Sequence, residues 1–512
     1  MLIIVCIVSV MISANNAARI LAVFPTPSIS HQIVFRPLTQ ELAKRGHSVT
    51  IITTDPAFPK GQTPPNITEI DVHDLSYRIW SKYLLKPLAK RNDLKEQIET
   101  YFPTILNIVM EQLKTDEVQH LVNDETKNFD LLIIEACVRP ALLYSHIYKV
   151  PVIQMSLLRA MPGNLQTVGA PDHPLLHPNI FRTRSNNLTA WEKIVETLKF
   201  YIFHRISEKY EDVETETLRK HFGPDTPKVS EFYKNVDMLF LNVHPVFEGI
   251  RPVPPSIVYT GGLHQKPVKE LPTELKSYLD SSKNGVIYTS FGTNMKPDTI
   301  APNILKKIVK VLSELPYDVL MKWDEDDLPG RNDNIKISKW LPQSDLLRHP
   351  KIKLFITQGG LQSTDEAITA GVPLIGIPML GDQWFNAERY EYHKIGIKIE
   401  PTTLEEEQLK NAITTVIGDE SYRQNVVKLR TLMYDQPMGP LERAVWWTEH
   451  VLRHGGATHL RAPDANMPLW QYLELNLVLT LLTSLLILVF IFISLVYIVC
   501  INYVTSKKLK VA

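Results

Sequence analysis

The sequence predicts two doubly wound α/β domains followed by one transmembrane helix. Throughout the 512-residue chain, short apolar runs alternate with segments of helical periodicity, which is the pattern of successive βαβ units. In the second half, two apolar runs end in turns of small residues, at residues 290–293 and 357–360. Near the end, residues 477–501 carry no charge, and as a helix they would be roughly 37 Å long, enough to cross a bilayer with some tilt.

The first half opens with a Rossmann-like unit. Residues 18–24 predict a buried strand, and residues 48–53 predict a second one. Between them we expect a helix that begins at His31, with Ser30 as its N-cap, and ends at Gly46, because apolar residues recur every four positions. The turn before this helix lacks the glycine fingerprint of dinucleotide sites, so we expect no nucleotide in this half.

The rest of the first half is less regular. In residues 56–128 the apolar pattern is less regular, and it predicts aromatic-rich segments and helices. Residues 131–134 predict a buried strand that delivers Glu135 at its carboxyl end. A helix at residues 141–148 and a strand at residues 151–155 complete a further unit.

The boundary between the two domains is predicted from the motif at residues 258–264. Residues 160–235 before it are irregular and then helical. We therefore predict one domain at residues 19–262 and a second at residues 263–455.

In the second domain the sequence predicts a regular alternation of strands and helices. Strands are expected at residues 285–290, 318–323, 334–338 and 354–356, with a helix at residues 304–315. A further helix at residues 361–370 is expected to end at Gly371, with Pro373 just beyond, and a strand follows at residues 373–377. The free N–H groups that open this helix, at the carboxyl end of a strand, suit a phosphate.

The composition excludes some classes of protein. Basic and acidic residues number 55 each and the pI is near 7.3, which argues against a nucleic-acid-binding protein. Of the three cysteines, Cys6 and Cys500 lie in terminal apolar runs, leaving Cys137 in the body. One body thiol forms no internal disulfide and builds no metal cluster, so we expect stability to come from packing.

The two ends predict a membrane topology. Residues 1–18 resemble a signal peptide, since an apolar core is followed by small residues, although a basic start is missing. A juxtamembrane segment at residues 456–476 leads to the span at residues 477–501. Lysines in the tail, residues 502–512, place the tail in the cytoplasm and the body in a lumen, as a type I membrane protein.

Two further signals concern the compartment. Lys508 and Lys510 form either a dilysine signal for return to the endoplasmic reticulum or a generic stop-transfer cluster. Asn66 and Asn187 open N-glycosylation sequons, which matter only in a lumen.

One stretch of the second domain resembles a known family. Trp340-Leu341-Pro342-Gln343, Phe355-Ile356-Thr357-Gln358-Gly359-Gly360, Glu366, Pro373, Pro378 and Asp382-Gln383 stand at the spacings of the donor-binding signature of the UDP-glycosyltransferases. The resemblance covers almost all of the chain and is strongest to the membrane-bound animal branch, the insect enzymes in particular. It implies the glycosyltransferase-B architecture, with two Rossmann-like domains and a cleft between them.

The resemblance implies a role for each donor-site residue. Trp340 would stack on the uracil ring, Gln343 would bond the base or ribose, and Glu366 would accept the ribose hydroxyls. Asp382 and Gln383 would hold the sugar hydroxyls. The backbone N–H groups of the small-residue turns would face the pyrophosphate, at Ser290, Gly292, Gly359 and Gly360. The family often has histidine where Gln358 stands, and glutamine donates a hydrogen bond but carries no full charge.

The resemblance also implies a catalytic pair. His31 matches the family's general base, and Glu135 stands where the family has the aspartate that orients this histidine. Two plainer readings stay open. His31 is one of sixteen histidines, and Glu135 would serve equally as an ordinary loop acid.

No metal and no cofactor are expected. Residues 324–327 contain the Asp-x-Asp pattern that holds a metal in the other large glycosyltransferase fold, but a solvated acidic loop is the favoured reading here.

The resemblance, together with the membrane signals at the two ends, therefore implies an inverting UDP-glycosyltransferase of the endoplasmic reticulum membrane. It would act on small lipophilic acceptors such as phenolics, terpenoids or steroids, in conjugation or detoxification. UDP-glucose is the preferred donor, and UDP-glucuronate stays open. Residues 56–128 would form the acceptor pocket. A catalytically silent binding protein of the same fold, which Glu135 and Gln358 allow, is the alternative. Homo- or hetero-oligomers also stay open.

Overall fold

The computed structural model describes residues 17–84, 94–124, 126, 128–161, 163–177, 182, 187–293 and 300–509. The proposed signal peptide, up to residue 16, and the last tail residues, from Lys510, lie outside the described residues. The two predicted domains each contain one parallel sheet.

The first sheet has seven strands in the order β3-β2-β1-β4-β5-β6-β7. Their bounds are β1 (Arg19–Phe24), β2 (Ser48–Thr53), β3 (Ile67–Asp71), β4 (Leu131–Glu135), β5 (Val152–Ser156), β6 (Val236–Leu241) and β7 (Ile257–Tyr259). Strands β4, β5 and β6 are buried at every position, as expected of parallel strands with helices on both faces.

The helices of the first half flank this sheet. Their bounds are α1 (Ile29–Lys44), α2 (His73–Leu84), α3 (Leu94–Gln112), α4 (Asp116–Asn123), α5 (Leu143–Tyr148), α6 (Asn164–Val168), α7 (Ala190–Phe222), α8 (Val229–Phe232) and α9 (Pro245–Glu248). Helix α1 begins at Ile29 instead of the predicted His31. Ser28 is the last extended residue, and its carbonyl already accepts the His31 N–H at 2.9 Å, so His31 lies in the first turn and Ser30 is not the N-cap.

The second sheet has six strands in the order β10-β9-β8-β11-β12-β13. Their bounds are β8 (Val286–Ser290), β9 (Asp318–Lys322), β10 (Ile335–Ser338), β11 (Ile352–Thr357), β12 (Leu374–Gly376) and β13 (Gly396–Lys398). The helices around it are α10 (Thr273–Ser281), α11 (Pro302–Ser313), α12 (Gln343–Leu347), α13 (Leu361–Ala370), α14 (Gln383–Tyr392), α15 (Glu406–Gly418) and α16 (Ser421–Tyr434). Helix α13 has its predicted bounds and ends at Gly371, which is left-handed with φ 76°.

Each sheet reverses its strand order once. The reversal lies between β1 and β4 in the first sheet and between β8 and β11 in the second. In open α/β sheets, ligands bind beyond the carboxyl ends of the strands at this topological switch point. The two reversals therefore mark two places where ligand-binding loops are expected.

After α16 the chain returns to the first sheet. Helix α17 (Pro440–His454) buries Ala444 and Val445 in the same core as β1, and its Glu449 pairs with Arg45 at 3.2 Å. Just beyond, the Ala457 N–H donates to Asp237 at 2.7 Å. The second domain predicted at residues 263–455 thus includes a helix that packs in the core of the first.

Two helices follow, α18 (Leu469–Tyr472) and α19 (Leu475–Leu509). Within α19, Leu475–Ser506 has a mean hydropathy of 3.1 in its most apolar window and is not covered by the rest of the protein. It is the one helix among the described residues that is long and apolar enough to cross a membrane. The apolar helix thus extends beyond the predicted span of residues 477–501.

Candidate active site

The two switch points face one cavity of about 720 Å³ between the two sheets. His31, in the first turn of α1, lines it together with residues at the ends of two strands of the second sheet. These are Ser290, which ends β8, Gly292 just beyond it, and Gln358 and Gly360, which follow β11. Nearly all of the sequence-predicted site residues line it, namely His31, Ser290, Gly292, Trp340, Gln343, Gln358, Gly360, Glu366, Asp382 and Gln383. Glu135 and Gly359 lie directly behind this lining.

His31 and Glu135 form a hydrogen-bonded pair. Nδ1 of His31 lies 2.6 Å from Oε1 of Glu135, and the Glu135 side chain is fully buried while His31 is 18% exposed. A carboxylate at Nδ1 favours the tautomer with the proton on Nδ1, so Nε2 is the nitrogen left to accept a proton. The pair has the arrangement of a general base and the acid that orients it.

Glu135 is itself held in place. Its Oε2 accepts the Thr26 N–H at 3.2 Å, and its Oε1 also accepts the thiol of Cys137 at 3.2 Å. Burial and the neighbouring carboxylate raise the pKa of the Cys137 thiol well above its ordinary value, so the thiol keeps its proton and donates. No role in the site was predicted for Cys137 from the sequence, although its position two residues after Glu135 could have suggested one.

The same three side chains form the one group among the described residues whose donor atoms could surround a metal, all within 4.8 Å of one another. In this structure Nδ1 of His31 and the thiol of Cys137 both engage Oε1 of Glu135, which is the arrangement of a hydrogen-bonding network. The acidic loop at residues 324–327 lies outside the cavity lining, and there Asp324 pairs with Lys322 and Asp326 with Lys339.

The flat side chain of Trp340 lies at the cavity wall and is 72% exposed. So much exposed aromatic surface is unusual for a tryptophan on a concave wall, and it provides a stacking platform.

Gln343 is bonded within the protein at both ends of its amide. Its Oε1 accepts the Tyr288 hydroxyl at 3.0 Å, and its Nε2 donates to Glu366 at 2.7 Å and to Ser363 at 2.9 Å. Gln343 therefore orients Glu366 in this structure. Burial raises the pKa of Glu366, which the amide of Gln343 partly offsets.

The small-residue turns bring backbone close to the cavity. Gly292 and Gly359 have φ of 77° and 88°, a region that side chains disfavour. A Cβ at Gly292 would overlap Nε2 of Gln358, whose Oε1 is buried with no partner among the described residues. Beside them, α13 opens at Gly360, and its first N–H groups have no intrahelical acceptor.

Asp382 and Gln383 close the other side. Gln383 Oε1 accepts the N–H groups of Met379 and Leu380, each at 2.8 Å, and Asp382 accepts from Asn386 at 2.7 Å. Burial raises the pKa of Asp382, and the hydrogen bond from Asn386 opposes this shift. Asp382 and His31 line the same cavity from the two domains.

One part of the wall is apolar. Ile98, Tyr101 and Phe102 of α3 line it, as expected for residues 56–128, but so does Phe203 of α7. Phe203 packs with Ile98 and Phe102 in one small cluster. Helix α7 was predicted only as an unspecified helical stretch, so this part of the wall was not foreseen.

Comparison with known proteins finds the same family along nearly the whole chain. Residues 19–511 match the model of the family described as UDP-glucoronosyl and UDP-glucosyl transferase. The ecdysteroid UDP-glucosyltransferase of Spodoptera littoralis nuclear polyhedrosis virus is 34% identical over 501 residues, covering 94% of this chain and 97% of the relative. UDP-glucosyltransferase 2 of Dactylopius coccus is 31% identical over 498 residues, covering 94% and 93%.

Solved structures agree in fold. The UDP-glucose:anthocyanidin 3-O-glucosyltransferase in complex with UDP has a TM-score of 0.58 at 17% identity, covering 86% of this chain and 99% of that one. The glycotransferase of kitacinnamycin has a TM-score of 0.59 at 16% identity, covering 85% and 99%. These similarities extend over both sheets and correspond to the glycosyltransferase-B architecture that the sequence predicts.

Proposed function

The chain belongs to the UDP-glucoronosyl and UDP-glucosyl transferase family and is a UDP-glycosyltransferase, and from this we propose that it moves glucose from UDP-glucose to a hydroxyl of a small lipophilic acceptor by direct inverting displacement. The contact of 2.6 Å between His31 and Glu135, on the wall of the cavity that holds the donor signature, carries the proposal.

In the proposed reaction, Nε2 of His31 takes the proton of the acceptor hydroxyl as its oxygen attacks the anomeric carbon. The bond between that carbon and the pyrophosphate oxygen breaks, and its electron pair leaves with UDP. Buried Glu135 stabilises the imidazolium that forms. Attack opposite to the leaving group turns the α-linked sugar of the donor into a β-glucoside.

The leaving group would be stabilised by fixed dipoles. The N–H groups at the start of α13 and the close backbone at Gly292 and Gly359 suit the charge that develops on the pyrophosphate. Glu366, oriented by Gln343, would accept the ribose hydroxyls, and Trp340 would cover the uracil. No metal ion is required in this scheme.

Glucose is the proposed sugar. Asp382 and Gln383 would bond its neutral hydroxyls at that end of the cavity. Two of the relatives are named UDP-glucosyltransferases, which supports the same choice.

The acceptor would occupy the apolar wall of α3 and α7. A cavity of about 720 Å³ has room for a ligand of steroid size beside a donor sugar. The viral relative is named for ecdysteroids, which supports the steroid class among the lipophiles considered. Conjugation of hormones or detoxification of foreign lipophiles would follow from such an activity.

The location proposed is the endoplasmic reticulum membrane, with α19 as the anchor and the body in the lumen. Asn66 and Asn187 are exposed and have left-handed backbones, with φ of 67° and 54°, as suits surface turns that carry glycans. The dilysine-type tail fits retention in this membrane.

The experiment uses the full chain in microsomes, with UDP-glucose and UDP-glucuronate as rival donors and a panel of ecdysteroids and phenols as acceptors. We expect a β-glucoside, identified by the proton coupling at its anomeric carbon, and equal rates with and without a chelator. An α-glucoside would contradict direct inversion, and a preference for UDP-glucuronate would contradict the donor. Binding of UDP-glucose without transfer to any acceptor would favour the silent binding protein.

A further inference from the structure

The outer face of α7 carries a row of exposed apolar side chains. Trp191 is 71% exposed, and Ile194, Leu198, Tyr201 and Ile202 are 45–55% exposed. Their spacing of three or four residues places them on one side of the helix. These five residues are called the α7 stripe below.

The opposite face of α7 belongs to the active site. Phe200 and Phe203 are buried, and Phe203 lines the cavity and packs against Ile98 and Phe102 of α3. Arg139 further fixes the helix through Ser207 at 2.6 Å and Glu214 at 3.0 Å. The α7 stripe is therefore exposed on a helix that is held firmly in place.

The α7 stripe ends abruptly. Arg205 follows on the same side, where it pairs with Glu208 at 2.9 Å, and the next positions of that side are Lys209, Asp212 and Glu216. This side of α7 is therefore apolar up to Ile202 and charged from Arg205 onward. Such a change is expected of a helix whose first part contacts a lipid interface and whose second part faces water.

The segment before the apolar anchor is bound to the domain that carries α7. Asn466 donates its N–H to Gln166 at 2.9 Å, and Ala462 donates to Val168 at 3.2 Å, so this segment is bound to α6. The anchor therefore begins from the same domain whose surface carries the α7 stripe.

We propose that the α7 stripe docks into the interfacial layer of the bilayer that the anchor crosses, as a second membrane contact. The inference rests on the proposed anchoring by α19. Trp191 and Tyr201 are the side chains that favour the interface between lipid and water, and Trp470 and Tyr472 of α18, also about half exposed, stand beside the anchor. The wall of the acceptor pocket would then lie at the membrane surface, where lipophilic acceptors are concentrated.

The test uses the full chain in phosphatidylcholine nanodiscs doped with a phospholipid that carries a diazirine in its acyl chain. After irradiation, lipid adducts are located by mass spectrometry. We expect adducts in α19 and in residues 190–205, and at least fivefold fewer in residues 206–222 of the same helix. The double substitution Ile194→Glu with Leu198→Glu is expected to lower the adducts in α7 at least fivefold.

The matched control is Val213→Glu, which places the same charge at an apolar residue that is 44% exposed on the same helix but outside the α7 stripe. It should leave the adducts unchanged. UDP binding by each variant checks that the body is folded, and labelling requires no turnover, so failure of the proposed reaction would not disturb the result. Equal labelling of residues 190–205 and 206–222 would overturn the inference, as would crosslinks that join two copies through the α7 stripe.

Discussion

Nδ1 of His31 and Oε1 of Glu135 lie 2.6 Å apart although 104 positions separate the two residues in the chain. Strand β1 ends at Phe24 and leads into the helix whose first turn contains His31, while Glu135 ends β4. The two strands are neighbours at the point where the order of the sheet reverses. The switch point of the first sheet thus brings the pair together, and the switch point of the second sheet faces it across the cavity.

Replacement of His31 tests the proposed base. His31→Ala should lower kcat for glucosyl transfer by about 10²–10⁴-fold with little change in the KM for UDP-glucose, since the side chain acts on the acceptor proton. Glu135→Gln should lower kcat less, because the imidazole remains but the imidazolium loses its stabilising charge. His120→Ala, at an exposed position of α4, is the control. Undiminished transfer by His31→Ala would contradict the assignment.

Gly292 should tolerate no side chain. Gly292→Ala would place a Cβ against Gln358 and force a residue into φ 77°, so we expect at least a tenfold rise in the KM for UDP-glucose. Gly330→Ala is a matched control, because Gly330 has φ 82° but open space around its Cβ position. The control should cost about 1 kcal/mol of stability without changing the KM. Equal effects of both substitutions on the KM would mean that strain, and not closeness to the donor, is responsible.

Gln343 and Glu366 should act as one unit. Glu366→Ala is expected to raise the KM for UDP-glucose by about 10–100-fold through the loss of hydrogen bonds to a charged acceptor. Gln343→Ala should raise it in the same direction, because Glu366 then loses the amide that orients it at 2.7 Å. The double variant should be little worse than Glu366→Ala alone. Fully additive effects would instead indicate that Gln343 contacts the donor independently.

Acid should destabilise the body through His264. Burial lowers the pKa of His264 to about 4, and neither ring nitrogen has a side-chain or backbone partner of ordinary geometry among the described residues. The folded protein therefore binds fewer protons than the unfolded chain, in which histidine titrates near 6.5. The free energy of unfolding should fall as the pH falls from about 6.5 to about 4, by up to about 1.4 kcal/mol per pH unit.

Thermal unfolding of the full chain in detergent at pH 7 and pH 5 measures this effect. His264→Gln should show a smaller drop in Tm between the two pH values than the wild type, whatever its Tm at pH 7. His120→Gln should behave as the wild type. If Tm falls by the same amount in His264→Gln as in the wild type, the acid sensitivity belongs to other groups. His244 and His393 are the candidates, because burial also lowers their pKa values to about 4.

The sequence predicts local elements well where their ends carry strong signals. Helix α13 has its predicted bounds because Gly371 ends it in the left-handed region. Helix α1 starts two residues earlier than predicted, because the extended backbone ends at Ser28 and the predicted cap, Ser30, is already helical. The sequence motif includes Gln343 and Glu366, but it says nothing of Tyr288, whose hydroxyl comes from β8 and donates to the amide oxygen of Gln343.

Contacts that depend on burial or join distant segments were the hardest to foresee. The thiol of Cys137 donates to Glu135 of the proposed catalytic pair, and Phe203 reaches the cavity from a helix with no site motif. Neither the composition nor the periodicity of residues 403–455 reveals that α17 packs against β1.

The return of α17 to the first sheet also orders events during synthesis. Ala444 and Val445 complete a core that begins with β1, so the first domain leaves the ribosome without part of its own interior. That gap closes only when translation has passed both sheets and reached the segment before α19. A chain cut short before residue 440 would therefore leave this part of the core around β1 unfilled.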